Sequence, residues 1–147
     1  MGKIRAVCIS DKKGVAKVPT PDGATLVENF GIEGDAHAGS WHRQVSLLSY
    51  EKIEEFKAGG ARVRDGSFGE NLIVEGIDLK SLPVGTLLRS GDVLLRVTQI
   101  GKECHTKCAI GRAMGSCIMP SEGIFAEVLR GGRLKAGDII EADSSAI

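Results

Sequence analysis

The chain has 147 residues, with nineteen basic and nineteen acidic side chains that cancel to a formal net charge of zero, so no overall field draws it to nucleic acid or to an anionic membrane surface. That length suits one domain, enough to bury a core and too short for two, and residues 1–147 are read as a single functional unit. No apolar run approaches the ~18 residues of a membrane span and "MGKIRAVCIS" has no apolar signal region, so a cytoplasmic protein without membrane partners is expected.

Twenty glycines against four prolines and six aromatics are spread along the chain, a pattern of turns between many short elements. "KIRAVCIS" (3–10) alternates Ile4, Ala6 and Cys8 against Arg5, Val7 and Ile9 as a first strand, with Cys8 in the core. After a Lys/Pro/Gly loop come short aliphatic runs, "ATLVENF" (24–30) and "QVSLL" (44–48), then "NLIVE" (71–75). Between the last two, "SYEKIEEFKAGG" (49–60) predicts a helix: Ser49 as N-cap, Glu51 in the first turn, Tyr50, Ile53 and Phe56 along one side, and Gly59 as the stop. It is expected to plug or flank a sheet. "LPVGTLLRSGDVLLRVTQIG" (82–101) reads as a hairpin around Ser90-Gly91-Asp92, with Val93, Leu95 and Val97 on one face. "GIFAEVLRGGRLKAGDIIEA" (123–142) repeats that logic, its flanking glycines favouring strand over helix at 123–129. The sum is a mainly β fold, a small closed or nearly closed β-barrel with one or two short helices.

Neither G-x-x-x-x-G-K-[ST] nor a post-strand G-x-G-x-x-G occurs, and H-E-x-x-H, G-x-S-x-G and EF-hand loops are absent. Any chemistry must come from less generic residues. "IGKECHTKCAIGRAMGSC" (100–117) holds three of the four cysteines. A zinc site from Cys104, His105, Cys108 and Cys117 is disfavoured by the spacing, since adjacent Cys104 and His105 seldom fit one tetrahedron and no paired C-x-x-C exists. A dithiol pair is open to the C-x-x-x-C spacing. The third reading is a reactive thiolate at Cys104, stabilised by Lys102, His105 and Lys107. Against all three stands plain packing, because cysteine is among the most buried residue types. A second cluster, "NFGIEGDAHAGSWHRQVSLL" (29–48), brings Glu33, Asp35, His37, His42 and Arg43 into a glycine-punctuated stretch where Asp35 and His37 can face one space. Gly69-Glu70-Asn71 enters the following strand in a similar way.

Taken in order, "GIEGDAHAG", "FGENLIVEGIDL", "LPVGTLLRSGDVLLRVTQIGKEC" and "GIFAEVLRGGRLKAGDII" resemble the MOSC domain, named for the C-terminal domain of molybdenum cofactor sulfurase, and the chain looks like a free-standing bacterial member. The resemblance implies a β-barrel that handles sulfur or binds the molybdenum-pterin cofactor, with the family's cysteine falling on Cys104. Glu103 stands where many members have proline. On this reading Cys104 carries a persulfide in sulfur transfer, received from a cysteine desulfurase or another donor and passed to cofactor-biosynthesis proteins or molybdoenzymes. Cys108 or Cys117 is then a second thiol, and Asp35, His37, Arg43, Glu70, Asn71, Lys102, His105 and Lys107 are candidates for holding an anion or the cofactor. The alternative makes Cys104 the molybdenum ligand, either in a reductase of N-oxygenated substrates or in a cofactor carrier. Pyridoxal phosphate belongs to the sulfurase's other domain and is not expected here.

Overall fold

The computed structural model describes residues 2–12, 15–60, 63–101 and 123–143. In chain order the elements are β1 (Gly2–Ile9), β2 (Val18–Pro19), β3 (Ala24–Val27), β4 (Gly31–Ile32), β5 (Val45–Ser49), α1 (Tyr50–Ala58), β6 (Leu72–Glu75), a 3-10 turn (Leu79–Ser81), β7 (Leu87–Ser90), β8 (Val93–Ile100), β9 (Ile124–Arg130), β10 (Gly132–Leu134) and β11 (Ile139–Asp143). Seven strands run in the order β11, β7, β8, β9, β5, β6, β1, and β1 pairs back to β11 through Gly2 with Ile140 and Lys3 with Ile139. The sheet is therefore a closed barrel, which leaves these strands no free edge. A three-stranded sheet, β10-β3-β4, lies beside it, and its Ala24, Leu26, Ile32 and Leu134 join the barrel's apolar interior.

Among the described strands all pairings are antiparallel except β5 with β6. Parallel neighbours need a crossover connection, and α1 lies on it. All five residues of β5 are buried because one face looks into the barrel and the other lies under α1. Val45 and Leu47 belong to the interior, while Leu48 packs with Ile53, Phe68, Ile73, Ala6 and Cys8 in a second cluster. The helix thus flanks the barrel. Ser49 is its N-cap and Gly59 its C-cap, as expected, although the Ser49 hydroxyl donates to Glu51 Oε1 at 3.1 Å rather than accepting from the helix backbone.

The first strand departs from simple alternation. Its register against β6 shifts between Ile4 and Ala6, a bulge at Arg5. After that extra residue the faces exchange, so Ile4 and Val7 both fill the barrel whereas Ala6 and Cys8 look outward beneath α1. Ile4, Ala6 and Cys8 therefore do not share a face. Arg5, set outward by the bulge, stacks 4.3 Å from the Tyr50 ring centroid. The 82–101 hairpin forms as expected, Ser90 pairing with Val93 around Gly91-Asp92, and Gly91 at φ 59° supplies the positive φ that the first turn position of such a two-residue loop needs. Residues 124–130 are strand, as the flanking glycines favoured.

Candidate functional site

The loop after β4 is pinned to the end of β1. The Ala36 N–H donates to the Ser10 carbonyl at 2.8 Å and the Ser10 N–H to Asp35 Oδ1 at 3.1 Å. Gly34, at φ 86°, makes the turn that aims the Asp35 side chain inward, and the His37 N–H closes on Asp35 Oδ2 at 3.2 Å. Lys17 enters from the loop before β2. Its backbone N–H is held by the Gly66 carbonyl at 2.8 Å, and its ammonium reaches Asp35 Oδ1 at 2.8 Å and His37 Nδ1 at 3.0 Å. Both charged side chains of the Lys17–Asp35 pair are fully shielded from solvent, while His37 remains partly exposed. The expectation that Asp35 and His37 face one space matches their placement, with Asp35 Oδ2 4.0 Å from His37 Nδ1. Lys17 was not legible as their partner.

From His37 the cluster continues along the same loop. The His37 and Trp41 rings lie nearly parallel with centroids 6.5 Å apart, and the Trp41 indole N–H donates to the His37 carbonyl at 2.8 Å. Arg43 extends over Trp41, its guanidinium carbon 4.6 Å from that ring centroid and 5.6 Å from that of Phe125 on β9. Its Nε is buried and has no hydrogen-bond partner among the described residues. A buried donor without a partner is costly, and a planar cation between two aromatic faces is a shelf suited to an anionic or planar ligand.

The shelf adjoins the exit of β8. His42 Nε2 lies 2.8 Å from Gln99 Oε1, and the Gln99 amide donates to the Gly101 carbonyl at 2.7 Å. With its amide nitrogen so engaged, Gln99 presents an acceptor to His42, whose Nε2 therefore carries the proton. The Thr98 hydroxyl donates to the His42 carbonyl. At the end of the ladder the Gly101 N–H donates to the Gly123 carbonyl at 2.7 Å. The chain between these glycines contains Lys102, Cys104, His105, Lys107, Cys108 and Cys117, which lie outside the described residues.

Glu70 and Asn71 have their side-chain polar atoms committed to the scaffold. Asn71 Oδ1 accepts from the Ser46 N–H at 2.9 Å and its amide donates to the Cys8 carbonyl at 3.0 Å, stitching β5, β6 and β1 together. Glu70 is fully buried and accepts the Gly66 and Phe68 N–H groups at 3.1 and 3.0 Å. Burial is the larger influence, and it pushes the carboxyl up to about 7 against those amide bonds. A carboxyl raised in the fold binds its proton more tightly there than in the unfolded chain. Its stabilising contribution is thus complete below about pH 4.5 and lost as pH rises through about 7, amounting to about 3 kcal/mol. Denaturant titrations from pH 4 to 8 are expected to show this decline, and Glu70→Gln to flatten it. Cys8, enclosed under α1, is held as a thiol because burial pushes it up, so it is no nucleophile.

Among the described residues no group of three or more His, Cys, Asp or Glu side chains is arranged to hold a metal ion, and no helix is long and apolar enough to cross a membrane. The Lys17–Asp35–His37 network, the Trp41–Arg43–Phe125 shelf and the paired glycines are carried on a small closed barrel. Residues 34–141 match the MOSC domain, and the chain belongs to that family. It is 27% identical over 113 residues to the Protein YiiM of Escherichia coli strain K12, a match covering 71% of this chain and half of that protein. The chain is similar in fold to the YUAD protein from Bacillus subtilis, with a TM-score of 0.76 at 24% identity over 97% of this chain and 96% of that one. It likewise resembles YiiM from Geobacillus stearothermophilus, with a TM-score of 0.73 at 18% identity over 98% and 76% of the two chains.

Proposed function

We propose that this MOSC protein is a sulfur carrier for molybdenum-cofactor chemistry, with Cys104 as the thiolate that accepts sulfur. One observation carries the reading: the chain bearing Cys104 leaves the barrel at Gly101 and returns at Gly123, with Gln99 tying that exit to His42 beside the Arg43 shelf. The Cys104 thiolate attacks the terminal sulfur of a donor persulfide. The donor's S–S bond breaks, the donor leaves as a thiolate, and Cys104 gains a persulfide with no external oxidant. A nucleophilic acceptor then takes the terminal sulfur and Cys104 is released as thiolate. Alternatively, Cys108 or Cys117 attacks the Cys104 sulfur, leaving a disulfide and expelling hydrosulfide, after which a dithiol reductant restores the thiols.

The residues at the rim fit the molybdenum-pterin group. Arg43, with its unpartnered buried Nε and two flanking rings, suits a phosphate or a planar heterocycle, and His37 and His42 add ring nitrogens beside it. When bound, that group supplies a metal centre open to sulfur or to reducible oxygen. Arg43, His37 and His42 would hold and orient it. The partners of this reading are a cysteine desulfurase or another sulfur donor, and cofactor-biosynthesis proteins or molybdoenzymes as recipients.

The test is intact mass spectrometry of the protein and Cys104→Ser after exposure to a persulfide-forming cysteine desulfurase, with metal analysis of the same samples. The expected result is a reducible gain of about one sulfur (~32 Da) that the variant lacks. Sulfur gain retained in Cys104→Ser and lost in Cys108→Ser or Cys117→Ser would move the site. No gain, together with molybdenum held only when Cys104 is present, would replace the carrier with a cofactor-ligand role.

A further inference from the structure

Glu70 is fully buried, yet no cation bonds its carboxyl among the described residues. Oε2 accepts the Gly66 N–H at 3.1 Å and Oε1 the Phe68 N–H at 3.0 Å, so the carboxyl closes the turn that leads into it. The same turn grips a second segment of chain. The Gly66 carbonyl holds the Lys17 N–H at 2.8 Å, and a Cβ at Gly66 would stand 2.1 Å from the Lys17 carbonyl oxygen, so the two backbones meet with no room for a side chain. Lys17 in turn sends its ammonium to Asp35 Oδ1, 2.8 Å away. We propose that residues 64–70 form a proton-sensitive strap: a neutral Glu70 keeps it closed on Lys17, and loss of the Glu70 proton favours its opening and frees the backbone anchor of the Lys17–Asp35 pair.

An enclosed carboxylate has to be compensated from inside the protein, and a pair of amide donors offsets only part of the hydration it loses. The neutral acid is far cheaper to bury. In the open strap the carboxyl reaches water and ionises at its ordinary value, so ionisation draws the equilibrium towards opening. The surroundings resist ionisation in place: burial pushes Glu70 up to about 7 against its amide bonds, and the like charge of Asp65 on the same turn adds to the effect. From β1 the Cys8 thiol acts on the same space, itself pushed up by burial and then by Glu70 and Asp65, so it stays neutral. Lys17 draws that thiol down, but its ammonium is committed to Asp35. The face of α1 above the strap is apolar, with Ile53 and Phe56 in the cluster that holds Phe68. Phe68 is the counterweight. Its ring meets Phe56 edge-on at 5.2 Å, and opening has to lift it from that cluster, so the open strap is a minor state whose population pH sets. The tip offers less resistance, since Arg64 and Asp65 are exposed and the bond from the Arg64 N–H to Ser67 Oγ lies within the strap itself.

The measurement is amide hydrogen exchange of the full chain by NMR from pH 5 to 8, each rate corrected for the intrinsic pH dependence of exchange. The 13C signal of the Glu70 carboxyl is followed alongside it and identified by its loss in Glu70→Gln. The Gly66, Phe68 and Lys17 amides are expected to lose protection together, by roughly 50-fold from pH 5 to 8, the linkage for a carboxyl that titrates at about 7 when closed and 4.5 when open. They are expected to exchange faster than the amides of β5 and β8 throughout, and Glu70→Gln to flatten the profile. A Glu70 carboxyl that titrates near ~4.5 in the folded protein overturns the proposal. So does a Lys17 amide whose protection holds while those of Gly66 and Phe68 fall, because the strap would then not reach the lysine. An equal fall at every barrel amide would assign the effect to global unfolding and remove the local device. Should Glu70→Gln not fold, the carboxyl titration and the exchange profile of the wild type decide the matter by themselves. None of these results bears on sulfur transfer at Cys104, which the mass measurement decides separately.

Discussion

Lys17→Met destabilises the fold by about 3–5 kcal/mol, the range for removing one partner of a buried ion pair. The Asp35 carboxylate is left fully enclosed and, among the described residues, with only the Ser10 and His37 amides to compensate for the lost ammonium. For a domain of this size that is a large part of the total stability, and the melting temperature is expected to fall by roughly 10–20 °C. Urea denaturation checks it: the midpoint drops while the slope is kept, because the surface exposed on unfolding is unchanged. Lys17→Met/Asp35→Asn is expected to recover most of the loss, since replacing both charges removes the uncompensated one. A single variant within about 0.5 kcal/mol of wild type would place the pair at a solvated surface instead.

Asn71→Leu is expected to cost about 2–5 kcal/mol, and the loss comes from the scaffold. The substitution strands the buried Ser46 N–H and the Cys8 carbonyl, which now bond the Asn71 amide at 2.9 and 3.0 Å. Leucine resembles asparagine in bulk but offers neither donor nor acceptor, so the three strands that meet there lose their common tie. Thermal denaturation separates the roles. A residue that only touched a ligand would leave stability within about 0.5 kcal/mol and change binding alone.

The parts of the fold that were legible in the sequence are local ones. The 82–101 hairpin is specified by a glycine turn between two apolar runs, and α1 by Ser49, Gly59 and the Ile53 side of a short amphipathic stretch. The faces of β1 were not legible, because one bulge residue at Arg5 reverses the alternation and no period-2 reading registers an inserted residue. The two- and three-residue strands β2, β4 and β10 are too short to carry any periodicity. At the rim, Asp35 and His37 stood out in their glycine-punctuated stretch. Lys17 did not, since its loop reads as solvated and its burial is imposed by a carboxylate eighteen residues further along. Gln99 and Phe125 look like ordinary strand residues until the barrel closes them onto the 41–43 loop. The signal the sequence offers for the shelf is the lone tryptophan set directly before His42 and Arg43.

The Gly101–Gly123 hydrogen bond clamps together two points far apart in the chain. It completes the β8–β9 ladder at its last rung, next to the Ile100–Ile124 pair, so the two ends of the intervening stretch are fixed by the barrel. For a span whose ends are already held together, doubling its length costs only about 0.6 kcal/mol of closure entropy. The closure cost of a longer or shorter span between the two glycines is therefore expected to be small, because the ladder itself brings Ile100 and Ile124 together.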